Sequence, residues 1–203
     1  MLTHHTENSI ALDIPFRGAR DYAHSTDIFS ALDNLAGRFL APRAYVKSMT
    51  LRRKVQRQIA VQFMPHPEAF GTFTLALPNQ TLEGWMIERG TPITRRVAFD
   101  ENAIAREALV EPGRVFLTAS LKGYSGFEQM IVLFKLLCTQ SHPGNWLFTA
   151  IDLDRPLTAA AAIGVNRTQT VLDRLVDAAL WQGGEPVWRA QMVMADGKDG
   201  RWA

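Results

Sequence analysis

The sequence predicts an α+β protein made of two similar halves, each a long apolar helix wrapped by an antiparallel sheet. Three observations carry this: one helix that must be enclosed, runs of strand-like segments around it, and an order of elements that recurs. The helix is Ser125–Gln140, SGFEQMIVLFKLLCTQ. Phe127, Met130, Ile131, Val132, Leu133, Phe134, Leu136, Leu137 and Cys138 make it hydrophobic on nearly every side, so protein must surround it. It is too short to span a bilayer. Ser125 followed by Glu128 is a capping-box pattern, and His142-Pro143-Gly144 stops the helix.

Taken in order, Asn8–Phe16 predicts a first strand, interrupted by Pro15. A first helix is predicted over Ser25–Leu40, with Ile28, Ala31, Leu32, Leu35, Ala36 and Phe39 on one face. Ser25 or Thr26 would cap it, and Asp27 suits the positive end of its dipole. Ala44–Phe63 predicts a long extended region, with Val55, Ile59, Val61 and Phe63 sharing a parity. Thr72–Leu77, Thr81–Glu88 and Ile93–Phe99 then predict a strand meander joined by turn-forming residues.

Residues 100–113 predict a linker with one helical turn, and Arg114–Leu121 a strand before the enclosed helix. Asn145–Leu153 and Pro186–Met194 predict strands after it. Thr158–Val165 and Thr168–Trp181 suit helix or strand by spacing, and the recurrence of elements favours a strand pair for the second. The tail from residue 195 predicts a frayed end.

The recurrence is specific in places. Gly90-Thr91-Pro92-Ile93-Thr94-Arg95 matches Gly184-Glu185-Pro186-Val187-Trp188-Arg189 as G-x-P-[IV]-x-R. Aligning Asp27 with Glu128 places Leu32 on Leu133, Leu35 on Leu136, Pro42 on Pro143 and Tyr45 on Trp146. The halves are then 1–108 and 109–203, packed as one pseudo-symmetric unit.

Among 203 residues, 47% are hydrophobic and 21% charged, with a net charge of +2, an ordinary globular composition too weakly basic to argue for nucleic acid. The single cysteine excludes an internal disulfide and fits a reducing compartment. With no signal-peptide pattern at the N-terminus, the expected location is cytoplasmic. His4, His5, His66 and His142 have no partners at metal-ligand spacing, so no metal is expected. No phosphate-cradling glycine loop or G-x-S-x-G elbow is present, and no cofactor is expected.

One strand, a long apolar helix and then antiparallel strands curling around it, twice over, resembles a double hotdog. The resemblance lies in element order across most of the chain; neither an H-x-x-x-x-x-x-P-G nor a D-x-x-N-x-H pattern occurs. It implies a protein that binds acyl thioesters of coenzyme A or acyl carrier protein, acting as a thioesterase or dehydratase, and it admits a homodimer. A non-catalytic binding or assembly protein of the same fold is the alternative. A nucleic-acid-associated protein ranks third.

The resemblance directs attention to the helix N-termini, whose N–H groups can polarise a thioester carbonyl beside an acid or histidine. The candidate catalytic residues are His24, Asp27 and Glu128. A His24–Glu128 pair across the halves would resemble a dehydratase dyad, and Asp27 alone a thioesterase acid. Candidate substrate-binding residues are Tyr22, Ser25, Tyr124, Ser125 and Gln129. Plainer readings stand beside these: Glu128 as a capping residue, Asp27 as a first-turn acid, His24 as an exposed side chain. The basic run Leu51–Arg57 adds Arg52 and Arg53 as candidate contacts for coenzyme A phosphates or an acidic carrier protein, extended by Arg95 and Arg96. Its plainer reading is a solvated strand face or edge guard.

Overall fold

The computed structural model describes residues 9–140, 142–158, 162–171 and 174–194. The chain divides into two compact units, Met1–Ala98 and Phe99–Ala203. Among the described residues, no helix is long and apolar enough to cross a membrane.

In the first unit, β1 (Ile10–Leu12) and β2 (Phe16–Arg17) replace the single predicted strand, with Pro15, which has no N–H for a ladder, between them. Helix α1 (Ser25–Leu35) runs into a π-helical turn, Ala36–Leu40. The strands that follow are β3 (Tyr45–Leu51), β4 (Arg57–Gln62), β5 (Gly71–Leu77) and β6 (Gln80–Pro92). They form an antiparallel sheet in the order β1-β4-β6-β5-β3. Alternation works as expected on β5, where Gly71, Phe73 and Leu75 point inward. Ile28, Phe29, Leu32 and Leu35 of α1 are buried, as are Val46, Met49, Ile59 and Val61 of the strands.

Two expectations fail here. The basic run does not continue a strand: Arg52–Gln56 forms the connection between β3 and β4, and β4 starts at Arg57 with a bulge before Ile59. Nor does Ile93–Phe99 extend the meander. Only Arg96–Val97, β7, is extended there, and it pairs in parallel with β2 as a separate two-stranded sheet.

In the second unit, the expected linker contains a two-turn helix, α2 (Glu101–Glu107), capped by Asp100. Short strands β8 (Leu109–Glu111) and β9 (Arg114–Phe116) turn at Gly113, whose φ of 73° suits glycine. Helix α3 (Gly126–Thr139) is buried on every side from Gly126 to Phe134, the enclosed helix the sequence predicts. Around it lie β10 (Trp146–Leu153), β11 (Ile163–Val171), β12 (Leu175–Gln182) and β13 (Glu185–Met194). Within Thr168–Trp181, the described residues form strands rather than a helix. The tail lies outside the described residues.

The sheet order in this unit is β8-β9-β11-β12-β13-β10. Both units therefore place a strand preceding the helix toward one side and the strand following it at the other edge. They differ between these: β4-β6-β5 in the first unit, β11-β12-β13 in the second. The G-x-P segments differ too. Gly184-Glu185-Pro186 leaves a tight hairpin, with Gly183 and Gly184 at φ 63° and 86°, and opens β13, whereas Gly90-Thr91-Pro92 ends β6.

Candidate active site

Helix α1 begins at a junction tied down from several directions. The Ala23 N–H donates to Val55 O at 2.7 Å, and Gln56 Nε2 donates to Asp21 Oδ2 at 3.3 Å. The Lys54 ammonium sits 4.8 Å from the centre of the Tyr22 ring. These contacts use the connection carrying the basic run to fix the residues just before the helix.

The helix cap is His24, not Ser25 or Thr26. Its backbone is extended (φ −79°, ψ 142°), and its Nδ1 accepts the Thr26 N–H, doing the work usually given to a serine or aspartate oxygen. Thr26 Oγ1 lies 2.8 Å from the same nitrogen. A neutral ring that accepts this N–H carries its proton on Nε2. His24 is 3% exposed, which overturns the reading of an exposed side chain. Four consecutive polar residues, His24 to Asp27, are buried at this helix start, an expensive arrangement unless each is satisfied or used.

Asp27 is held by a residue the sequence reading passed over. Arg17 Nε lies 2.7 Å from Asp27 Oδ2, with side chains 12% and 9% exposed respectively. Asp27 Oδ1 has no partner among the described residues, and neither do the N–H and hydroxyl of Ser25. One carboxylate oxygen is therefore pinned and the other is presented beside a helix N-terminus.

The first turn of α3 has the same ingredients in a different state. Ser125 Oγ accepts the Glu128 N–H at 3.1 Å, and Glu128 Oε2 accepts the Ser125 N–H at 2.6 Å, completing the capping box. Gln129 is fully buried and ties down the preceding loop. Its amide donates to Ser120 Oγ and Tyr124 O at 3.0 Å each, and its oxygen accepts the Leu121 N–H at 3.0 Å. The Tyr124 hydroxyl donates to Asp100 O at 3.4 Å, and its ring meets Phe99 edge-on. All four residues carry structural bonds within their own unit.

The basic run is largely engaged as well. Arg53 is 2.6 Å from Glu88 Oε2 and lies over the Phe70 ring. Arg52 is exposed, and its guanidinium has no partner among the described residues. Arg96 does not extend the run; it donates to the carbonyls of Gly18 and Arg20, and Arg95 pairs with Asp13 at 3.0 Å. The structure thus gathers Tyr22, His24, Ser25 and Asp27 in the first unit, with the connection bearing Arg52 and Arg53 bonded to the segment before α1. Tyr124, Ser125, Glu128 and Gln129 gather in the second.

Arg17, Thr26 and Ser120 are the residues sequence reasoning missed. Arg17 stands ten positions before Asp27 on a two-residue strand too short to show periodicity. Thr26 was legible only as a rival cap. Among the described residues, no cluster of histidine, cysteine and carboxylate side chains could hold a metal.

No family model and no curated protein matches the sequence. Solved structures do match. A protein of Thermobifida fusca YX described as a candidate thioesterase II superposes with a TM-score of 0.53 at 12% identity, covering 94% of each chain. The dehydratase domain of PpsC from Mycobacterium tuberculosis, in complex with C12:1-CoA, superposes with a TM-score of 0.50 at 7% identity, covering 92% of each. Both are hotdog-fold proteins, and at these identities the likeness concerns the fold: this chain has the α+β hotdog architecture.

Proposed function

We propose that this protein binds acyl thioesters, carried by coenzyme A or by an acyl carrier protein, and hydrolyses them at the start of α1. The observation that carries the proposal is the Asp27 carboxylate, nearly buried, with Oδ2 fixed by Arg17 and Oδ1 unengaged among the described residues. Support comes from the fold, shared with a candidate thioesterase II and with a domain that holds an acyl-CoA.

In this reading Asp27 Oδ1 orients a water and takes its proton as the water oxygen attacks the thioester carbonyl carbon. The carbonyl oxygen becomes an oxyanion, which the Ser25 N–H at the positive end of α1 stabilises. Collapse breaks the C–S bond, the proton on Asp27 passes to the departing sulfur, and the products are a carboxylic acid and a thiol. His24 anchors the helix start through Nδ1. Glu128 and Gln129 serve the architecture of the second unit, so the favoured reaction is hydrolysis rather than a dehydration requiring Glu128.

The test is a panel of acyl-CoA thioesters with free thiol and double-bond absorbance followed together. Thiol release by the wild type, lowered at least ~100-fold in kcat by Asp27→Asn, supports the reading. Double-bond formation that depends on Glu128 replaces it with a dehydratase. Acyl-CoA binding without turnover replaces it with the non-catalytic binding protein.

A further inference from the structure

We infer that Arg17 is a positioning residue for Asp27, and that the separate two-stranded sheet exists to deliver it. The inference rests on the hydrolase reading above and adds to it a residue and an element.

Three structural relationships support this. First, β2 and β7 lie outside the main sheet of their unit and pair over only two residues each, Phe16 with Arg96 and Arg17 with Val97. So short a ladder buries little and contributes little to stability alone, yet it is reinforced from both sides. Phe16 N donates to Arg95 O and Gly18 N to Val97 O, both at 2.9 Å, while Arg96 lies over the Phe16 ring and donates to the carbonyls of Gly18 and Arg20.

Second, the residue so clamped sends its guanidinium to Asp27 through Nε at 2.7 Å. A carboxylate accepts along two oxygens, and holding one fixes the direction of the other. Third, the partner it fixes is a first-turn acid whose second oxygen has no protein bond among the described residues. At the corresponding place in the second unit Glu128 closes a capping box with Ser125. A pair built only for stability would leave no oxygen unused, because an unengaged carboxylate oxygen in a nearly buried site is costly.

Arg17 therefore keeps the Asp27 carboxylate aimed without touching the substrate. The expectation is a kinetic signature: loss in kcat with little change in KM, because orientation of the attacking water is felt in the transition state more than in binding.

The experiment uses the full chain and the acyl-CoA that the wild type hydrolyses fastest. Arg17→Ala is expected to lower kcat about 30-fold or more while KM moves less than about threefold. Guanidinium chloride at ~50 mM is expected to restore part of that kcat, and sodium chloride of equal ionic strength is not, since only the planar ion can refill the fork. Asp27→Asn should show no such rescue. Arg17→Lys, which keeps the charge but not the geometry, should fold and fall between wild type and Arg17→Ala, and it carries the test if Arg17→Ala does not fold. A folded Arg17 variant with wild-type kcat, or rescue by sodium chloride as good as by guanidinium, overturns the inference while the hydrolase reading stands. A wild type that releases no thiol overturns the hydrolase reading, and the inference with it.

Discussion

Glu88 and Arg53, 35 residues apart, close the connection that carries the basic run. Glu88 Oε2 takes the Arg53 guanidinium at 2.6 Å, while Oε1 accepts the backbone N–H groups of Gln56 and Arg57 at 3.0 and 3.1 Å. Those two N–H groups sit beside the β4 bulge, where the ladder does not supply partners, so one side chain takes over. Burial raises the Glu88 pKa, but Arg53 and the two backbone donors outweigh it and leave the carboxyl below its ordinary value.

A lowered carboxyl stabilises the fold at neutral pH, and that contribution is lost as pH falls below about 4 and through the lowered value. Glu88→Gln is expected to cost about 0.5–1 kcal/mol at pH 7, held down by the exposure of Arg53. Urea unfolding at pH 7 and at pH 3 should show the gap between the proteins shrinking at the lower pH. A gap that does not depend on pH would mean the glutamate acts by shape alone.

The α3 cap separates hydroxyl from carboxylate. Ser125→Ala removes the acceptor for the Glu128 N–H and is expected to cost about 1 kcal/mol. Glu128→Gln keeps an oxygen for the Ser125 N–H and should cost only a few tenths. The same variant should hydrolyse acyl-CoA within about twofold of wild type if the residue is structural. Denaturant midpoints and initial rates on the same preparations check both.

Cys138 lies fully buried on α3, and burial pushes its thiol up to about 12, with Arg167 opposing weakly. At pH 8 only about one molecule in ten thousand would carry the thiolate, the form that reacts. Iodoacetamide at pH 8 should leave the native protein unmodified by mass spectrometry and add one label after denaturation. Labelling of the native protein at a rate comparable to a free thiol would contradict the buried placement.

Two glycines on adjacent strands differ in what an added methyl would strike. At Gly84 it would meet the Phe73 ring, which can shift; at Gly71 it would meet the backbone oxygen of Thr50 and the Met86 methyl. Gly84→Ala is expected to cost about 1–3 kcal/mol and Gly71→Ala more, because a carbonyl inside the β3–β5 ladder cannot move without breaking it. Thermal unfolding of the two variants gives the order directly.

Local chemistry was legible wherever neighbours in sequence decide it. The enclosed α3 follows from apolar residues on every face, and its Ser125–Glu128 cap from a three-residue spacing. The α1 start at Ser25 was also legible, though its cap was misassigned, because an imidazole nitrogen is an unusual acceptor in that role. Strand existence within Thr168–Trp181 came out of element order, since spacing there suits either structure.

Partner choice was not legible. Alternation tells which face of a strand is apolar but not which strand lies beside it, so Ile93–Phe99 reads as one more meander strand when Arg96–Val97 pairs with Phe16–Arg17. A shared G-x-P pattern likewise ends one strand and opens another, because a turn sequence does not record where the chain goes next. By itself, the sequence determined two apolar helices, their starts and the antiparallel strands around them. Only the tertiary structure decided that Arg17 meets Asp27 and Arg53 meets Glu88. Charged side chains on separate elements announce no partner, and only the packing of helix, strands and connections brings them within 3 Å.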